Sequence, residues 1–215
     1  MLTFRLQGSA RRGFTLIELL AVLMIISILT YFLVSNMAGS IDVVDEGVVK
    51  NRMATMRAAL AQYSDEKGDY PRSQLPNDLG TAPNALNVGS ECLYLALCAE
   101  GAPGFGTLDK PEELCNSDGD SLSKRVKGFE SQELFELADA WGNPVAYIHH
   151  LDYEREFRYV AFDAETGEAA EYSLRAIKNA KTGRFEEPSG FQLISAGGDG
   201  KFGTDDDIVN SKIKK

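Results

Sequence analysis

The chain has 215 residues, is 44% apolar and 25% charged, and carries a formal net charge of −10 at pH 7. That length accommodates a long helix beside one globular domain of ordinary size, and the acidic balance argues against nucleic acid as a partner while suiting divalent cations or basic surfaces. Cys92, Cys98 and Cys115 form no metal-ligand spacing with the two histidines, so in an oxidising compartment the simplest arithmetic is one disulfide and one leftover thiol.

Residues 1–13 hold Arg5, Arg11 and Arg12 and no acid, and from Phe14 to Val34 the chain carries a single charge, Glu18. As a helix that apolar run is roughly 30 Å long, the thickness of a bilayer core. The positive-inside tendency keeps the basic segment in the cytoplasm and sends the remainder out. Gly13, the small residue a peptidase would favour, precedes the apolar run instead of following it. A cut after Gly13 therefore removes the three arginines, leaves the hydrophobic helix on the mature chain and takes the formal charge from −10 to about −13. A lone carboxylate inside a membrane helix costs on the order of a few kcal/mol, which calls for a partner. The new α-amino group on Phe14 of a neighbouring subunit can supply it, and Glu18 would then set the register of bundled helices; the plainer alternative is an acid tolerated near the end of a membrane anchor.

Gly13-Phe14-Thr15-Leu16-Ile17-Glu18-Leu19-Leu20 resembles the type III signal of type IV prepilins and of the pseudopilins of type II secretion systems. The resemblance implies cleavage between Gly13 and Phe14 by prepilin peptidase, N-methylation of Phe14 and an assembly role for Glu18. The chain departs from many relatives after the apolar run, where a helix-bending proline gives way to Val34-Ser35-Asn36-Met37.

Beyond that point Met37, Ile41, Val44 and Val48, then Val49, Met53, Met56, Leu60 and Tyr63, recur at three- and four-residue steps. They predict an amphipathic helix with Asp42, Asp45, Glu46, Lys50, Arg52 and Arg57 on its solvated face. Gly68 stops it, with Lys67 in the last turn and Pro71 beyond; Gly68-Asp69-Tyr70-Pro71 is similar to the helix exit of pseudopilins. Between Arg72 and Asp139 the pattern is loop-rich. Ser90 is positioned to cap a short helix over Glu91 to Cys98, in which Cys92 and Cys98 lie on different faces. They should not pair with each other, which leaves Cys115 as partner for one of the two, Cys98 being preferred over Cys92. Asn116-Ser117-Asp118-Gly119-Asp120 has oxygen ligands at alternate positions, like the first half of a calcium loop, but Ser121 replaces the expected glycine and no twelfth-position Glu follows. A polar turn is the preferred reading over a second calcium site.

Asp139-Ala140-Trp141-Gly142-Asn143-Pro144 resembles the phrase that leads pseudopilins into their sheet, with the Trp as core anchor. Alternating residues predict strands over Pro144 to His149 and Phe157 to Phe162, the turn Asp163 to Gly167 leads to a third over Ala169 to Leu174, and a last strand is expected over Phe191 to Ser195. His149 and His150 are adjacent in a strand and point to opposite faces, so they are read as solvent-facing or capping residues, with no catalytic or zinc role.

The closing stretch, Ser195 to Ile208, sets Asp199, Asp205, Asp206 and Asp207 among four glycines. Crowded carboxylates repel unless a cation sits among them, and calcium accepts six to eight oxygens in flexible geometry; the alternative is a solvated acidic tail. The segment is similar to the calcium loop of type II secretion major pseudopilins. That resemblance implies side-chain ligands in Asp199, Asp206 and Asp207 and a carbonyl ligand in Ala196, with Asp205 at a variable position.

The expected fold is α+β: a long N-terminal helix, half membrane and half amphipathic, packed on a small antiparallel sheet of three or four strands. The expected parts are a leader (1–13), an assembly helix (14–36), an amphipathic helix (37–66), a variable loop region (67–140) and a sheet with the calcium loop (141–215). The resemblance implies a non-enzymatic subunit anchored once in the bacterial inner membrane with its C-terminal domain in the periplasm. It would polymerise with itself and other pseudopilins, served by prepilin peptidase and an inner-membrane assembly platform, into a filament that drives protein export. A type IV pilus subunit for adhesion, motility or DNA uptake is the alternative.

Overall fold

Helix α1 covers Leu16–Lys67. The computed structural model describes residues 16–76, 79 and 84–212, the side chains at 32–45 and 212 excepted. Two compact units divide it at Asp42 and Val43. In the first, Leu16 to Tyr31 is helical and exposes Leu16, Ile17, Leu19, Leu20, Leu23 and Ile25 among other large apolar side chains.

The second unit begins with the amphipathic part of α1. Val49, Met53, Met56, Ala59 and Leu60 form its buried stripe, and full burial of each larger side chain is worth about 1.5–3 kcal/mol. Gly68 ends the helix at φ 86°, its amide donating to Ser64 O at 2.8 Å, a left-handed stop that glycine adopts without steric cost. Arg52 departs from the solvated face predicted for it. It is largely buried, donates to the carbonyl of Asp139 at 2.7 Å and pairs with Glu113 at 3.2 Å.

Helix α2 spans Val88–Leu97. Asn87, and not Ser90, precedes it, at φ 52°, a conformation asparagine tolerates better than most residues. Its carbonyl accepts from the amides of Ser90 and Glu91, its Oδ1 accepts from Val160 N at 2.9 Å, and its Nδ2 donates to Glu136 at 2.8 Å and Ser117 at 2.9 Å. One buried side chain thus ties the helix start to two strands and a loop. Ser90 lies within the helix, where its Oγ accepts from Leu137 N.

The strands are β1 Leu114–Cys115, β2 Glu136–Leu137, β3 Ala146–His149, β4 Glu156–Phe162, β5 Ala169–Arg175, β6 Phe191–Ser195 and β7 Ile208–Val209. They make three antiparallel groups, β1-β2, β3-β6-β7 and β4-β5, where one sheet was expected. The physical reason lies in the central group, which is buried on both faces. Successive strand residues point to opposite sides. Tyr147, Leu193 and Ile208 join the cluster built on Met53, Met56 and Leu60, while Ala146, Ile148, Ile194 and Val209 join a second cluster with Phe157, Tyr159, Ala161 and Leu174 from the β4-β5 hairpin. The second unit is therefore layered as helices, central sheet and hairpin. At Gly89 an added Cβ would overlap the Tyr147 carbonyl and the Tyr159 hydroxyl, which is how closely α2 approaches the sheet.

Candidate functional site

Gly13 and Phe14, the expected cleavage and methylation points, lie outside the described residues. Glu18 stands in the first turn of α1, exposed, between Ile17 and Leu19. Leu16 is 82% and Ile17 75% exposed, and a helix apolar on all sides has to be covered by lipid or by other apolar helices. Among the described residues no helix is long and apolar enough to cross a membrane.

The closing loop runs from the end of β6 to β7 and is fixed at two places. Ser195 Oγ accepts from Gly197 N at 3.2 Å and donates to the buried Asp139 Oδ2 at 2.6 Å. Gly200, at φ 70°, lies so close to the Phe162 carbonyl that no Cβ fits. Phe162 N in turn donates to Asn143 Oδ1 at 2.7 Å. The Asp139-to-Pro144 turn is thus the seat of the loop, and its fully buried anchor is Asn143; Trp141, expected in the core, is half-buried with its ring beside Gly198.

Within the loop Asp206 Oδ2 accepts from Asp199 N at 3.0 Å, Asp207 Oδ2 from Gly203 N at 2.9 Å, and Asp199 Oδ1 from Lys201 N at 2.7 Å. Ala196 is buried at its start and Asp205 is exposed. The carboxylates of Asp199, Asp206 and Asp207 do not converge on one point. Asp207 Oδ1, however, is buried without a hydrogen-bond partner. Burial pushes the Asp207 carboxyl up to about 6, aided by the charges of Asp206 and Asp199 and opposed by the Gly203 amide. A buried carboxylate oxygen with no donor, in a loop supplying only oxygen ligands, fits a hard cation such as calcium.

Among the described residues, the fold also assembles two side-chain clusters from segments far apart in the chain. Of the two roles expected for it, His149 takes the capping one: it is fully buried at the end of β3, its Nδ1 accepts from Leu151 N at the start of the next 3₁₀ segment, and its Nε2 lies 3.5 Å from Asp69. The chain turns there into a short 3₁₀ segment, so the His150 ring stacks on it at 4.3 Å instead of facing the opposite side. The second cluster joins Glu91 of α2 to Asp118 and Asp120. The three cysteines are free thiols. The Cys98–Cys115 disulfide is not formed, because Cys98 packs with Tyr94 and Leu97 in the helical core while Cys115 faces Glu136 across the β1-β2 pair.

The N-terminal segment matches the prokaryotic N-terminal methylation motif over residues 8–30. The matched range takes in the start of α1 and its exposed apolar side chains. Over 95% of its length the chain is 25% identical to the type II secretion system core protein G of Escherichia coli (strain K12), covering 94% of that protein. It is 30% identical to the core protein G of Klebsiella michiganensis over 69 residues, 32% of this chain and 49% of that one. The chain is thus similar to core protein G of type II secretion systems over nearly its whole length. No solved structure matches it.

Proposed function

We infer that the chain is a pseudopilin of a type II secretion system, made as a precursor, trimmed and polymerised into a periplasmic filament that drives protein export. The observation that carries this reading is the methylation motif over residues 8–30 leading into a helix whose large apolar side chains are exposed, on a chain similar to core protein G nearly end to end. Prepilin peptidase cuts between Gly13 and Phe14 and methylates the Phe14 amine. The apolar helix first anchors the subunit in the inner membrane and then, extracted through an assembly platform, bundles with copies of itself and other pseudopilins. Glu18 pairs with a neighbour's N-terminus and fixes the axial register.

The domain that follows has a structural role and no enzymatic one, and its acidity suits a surface that does not bind nucleic acid. Calcium held by Asp199, Asp206, Asp207 and the Ala196 carbonyl supplies neutralising charge and crosslinks the closing loop. This chain's own residues prepare that seat: Ser195 and Asp139 hold the loop's entry, and Gly200 lets it lie against the end of β4.

Intact-mass measurement on protein from host membranes tests the processing step. A mature chain starting at methylated Phe14, with Glu18→Ala processed normally but absent from crosslinked filaments, is the expected result. An unprocessed chain, or normal assembly of Glu18→Ala, would overturn the reading.

A further inference from the structure

We propose that Glu91, Asp118 and Asp120 form a second calcium site, independent of the closing loop, that clamps helix α2 to the loop following β1. One carboxylate oxygen from each of the three residues lies within 4.8 Å of the others. Oxygens bound to one calcium at about 2.3–2.6 Å are separated by no more than about twice that distance. Glu91 is fully buried, and neither of its carboxylate oxygens has a hydrogen-bond partner; the same holds for both oxygens of Asp120 and for Asp118 Oδ2. The side chain of Glu91 is thus aimed at two other acids with no donor between them.

Such an arrangement needs neutralising, because an unpaired buried carboxylate costs several kcal/mol and three facing each other cost more. Without a cation the remedy is protonation: burial and the charges of Asp120 and Asp118 push Glu91 up to about 10, and burial and Asp118 push Asp120 up to about 6. A divalent cation satisfies the same oxygens without a proton. The donors are all oxygen, which selects a hard ion. Calcium accepts irregular geometry, whereas magnesium demands an octahedron and retains several waters.

The surroundings hold the ligands in place. Asp120 N donates to Asn116 Oδ1 at 3.1 Å and Asn116 Nδ2 donates back to Asp120 O at 3.0 Å, which curls the loop with Gly119 at φ 72°. Ser117 Oγ donates to the Val160 carbonyl on β4. The loop supplies two ligands as in the first half of a calcium loop. The third comes from the first turn of α2, where the helix dipole also favours an anion.

Equilibrium dialysis of the full mature chain in detergent against radiolabelled calcium tests the proposal, in wild type and in an Asp206→Asn/Asp207→Asn background that silences the closing loop. That background should retain one calcium per chain, and adding Glu91→Gln should remove it or weaken it at least tenfold. In wild type, Glu91→Gln should cost one ion. A folding readout separates ligand loss from misfolding: in chelator Glu91→Gln should melt no lower than its parent, because the amide replaces a carboxyl that is protonated and neutral without the ion, yet lose the rise that calcium gives the parent. A background protein that binds no calcium at millimolar concentration, or a Glu91→Gln variant that binds as many ions as its parent, would overturn the site. Persistence of the closing-loop ion in Glu91→Gln would show the two sites to be independent, as proposed.

Discussion

The Ser195 hydroxyl donates to Asp139 Oδ2 at 2.6 Å, both residues being buried, and this contact joins the end of β6 to the turn that precedes β3. Asp139 Oδ1 meanwhile accepts from the amides of Trp141 at 3.0 Å and Asn143 at 2.9 Å. Asp139→Ala leaves these donors unmatched and should cost about 3 kcal/mol, whereas Ser195→Ala, losing one hydroxyl, should cost about 1 kcal/mol. Chemical denaturation of the two variants measures the difference. Equal costs would mean that Asp139 does not organise the turn.

Gly200 and Gly203 provide a matched comparison, since both have φ in the left-handed region but only Gly200 is pressed against backbone, the Phe162 carbonyl. Gly203→Ala should cost about 1 kcal/mol from conformation alone, and Gly200→Ala at least about 2 kcal/mol because the loop must also move. Gly200→Ala should further weaken calcium's effect on the melting temperature. If the two variants melt alike, the loop is not seated on β4.

Chelation should lower the melting temperature of the wild-type chain, and Asp207→Ala should shrink that effect by the closing loop's share. Calcium binding and folding are coupled wherever the ligands come together only in the folded state. A chelation effect of the same size in both proteins would remove Asp207 from the ion's ligands.

Glu136 gives a pH test. Burial pushes its carboxyl up to about 8, with the Asp118 charge adding to the shift and hydrogen bonds from Asn87, the Ser117 amide and Cys115 opposing it. The folded chain therefore holds this proton more tightly than the unfolded chain, so the stability it contributes is complete below about 4.5 and is lost as the pH rises through about 8. His149 acts in the opposite sense, since burial lowers its pKa and favours folding as the pH rises through its ordinary range. The difference between wild type and Glu136→Gln isolates the carboxyl: in chelator, wild type should lose melting temperature between pH 5 and pH 8.5 relative to the variant, at about 2–4 °C per kcal/mol for a chain of this size. Parallel curves would show Glu136 to be ionised throughout.

The hairpin strand was legible because alternation survives over much of Phe157 to Phe162, and the helix stop because Gly68 and Pro71 leave few choices. The division into three sheets was not legible. β3 reads Ala146-Tyr147-Ile148-His149, and a strand apolar on both faces carries no sign of which neighbour covers each face. Arg52 looked solvated because helical periodicity says nothing of carbonyls arriving from Ala138 and Asp139. Asp118 and Asp120 could be recognised as half of a calcium loop. Their third partner, Glu91, could not, because it comes from a helix on the far side of a loop-rich segment and only the fold brings them together.

Deleting the gene in its own host, and comparing the proteins in the medium with surface pili and motility, tests the central claim most directly. Loss of specific exported proteins with pili and twitching intact, restored by wild type but not by Glu18→Ala, is the predicted result. Loss of pili or twitching with protein export intact would contradict it and assign the chain to a type IV pilus.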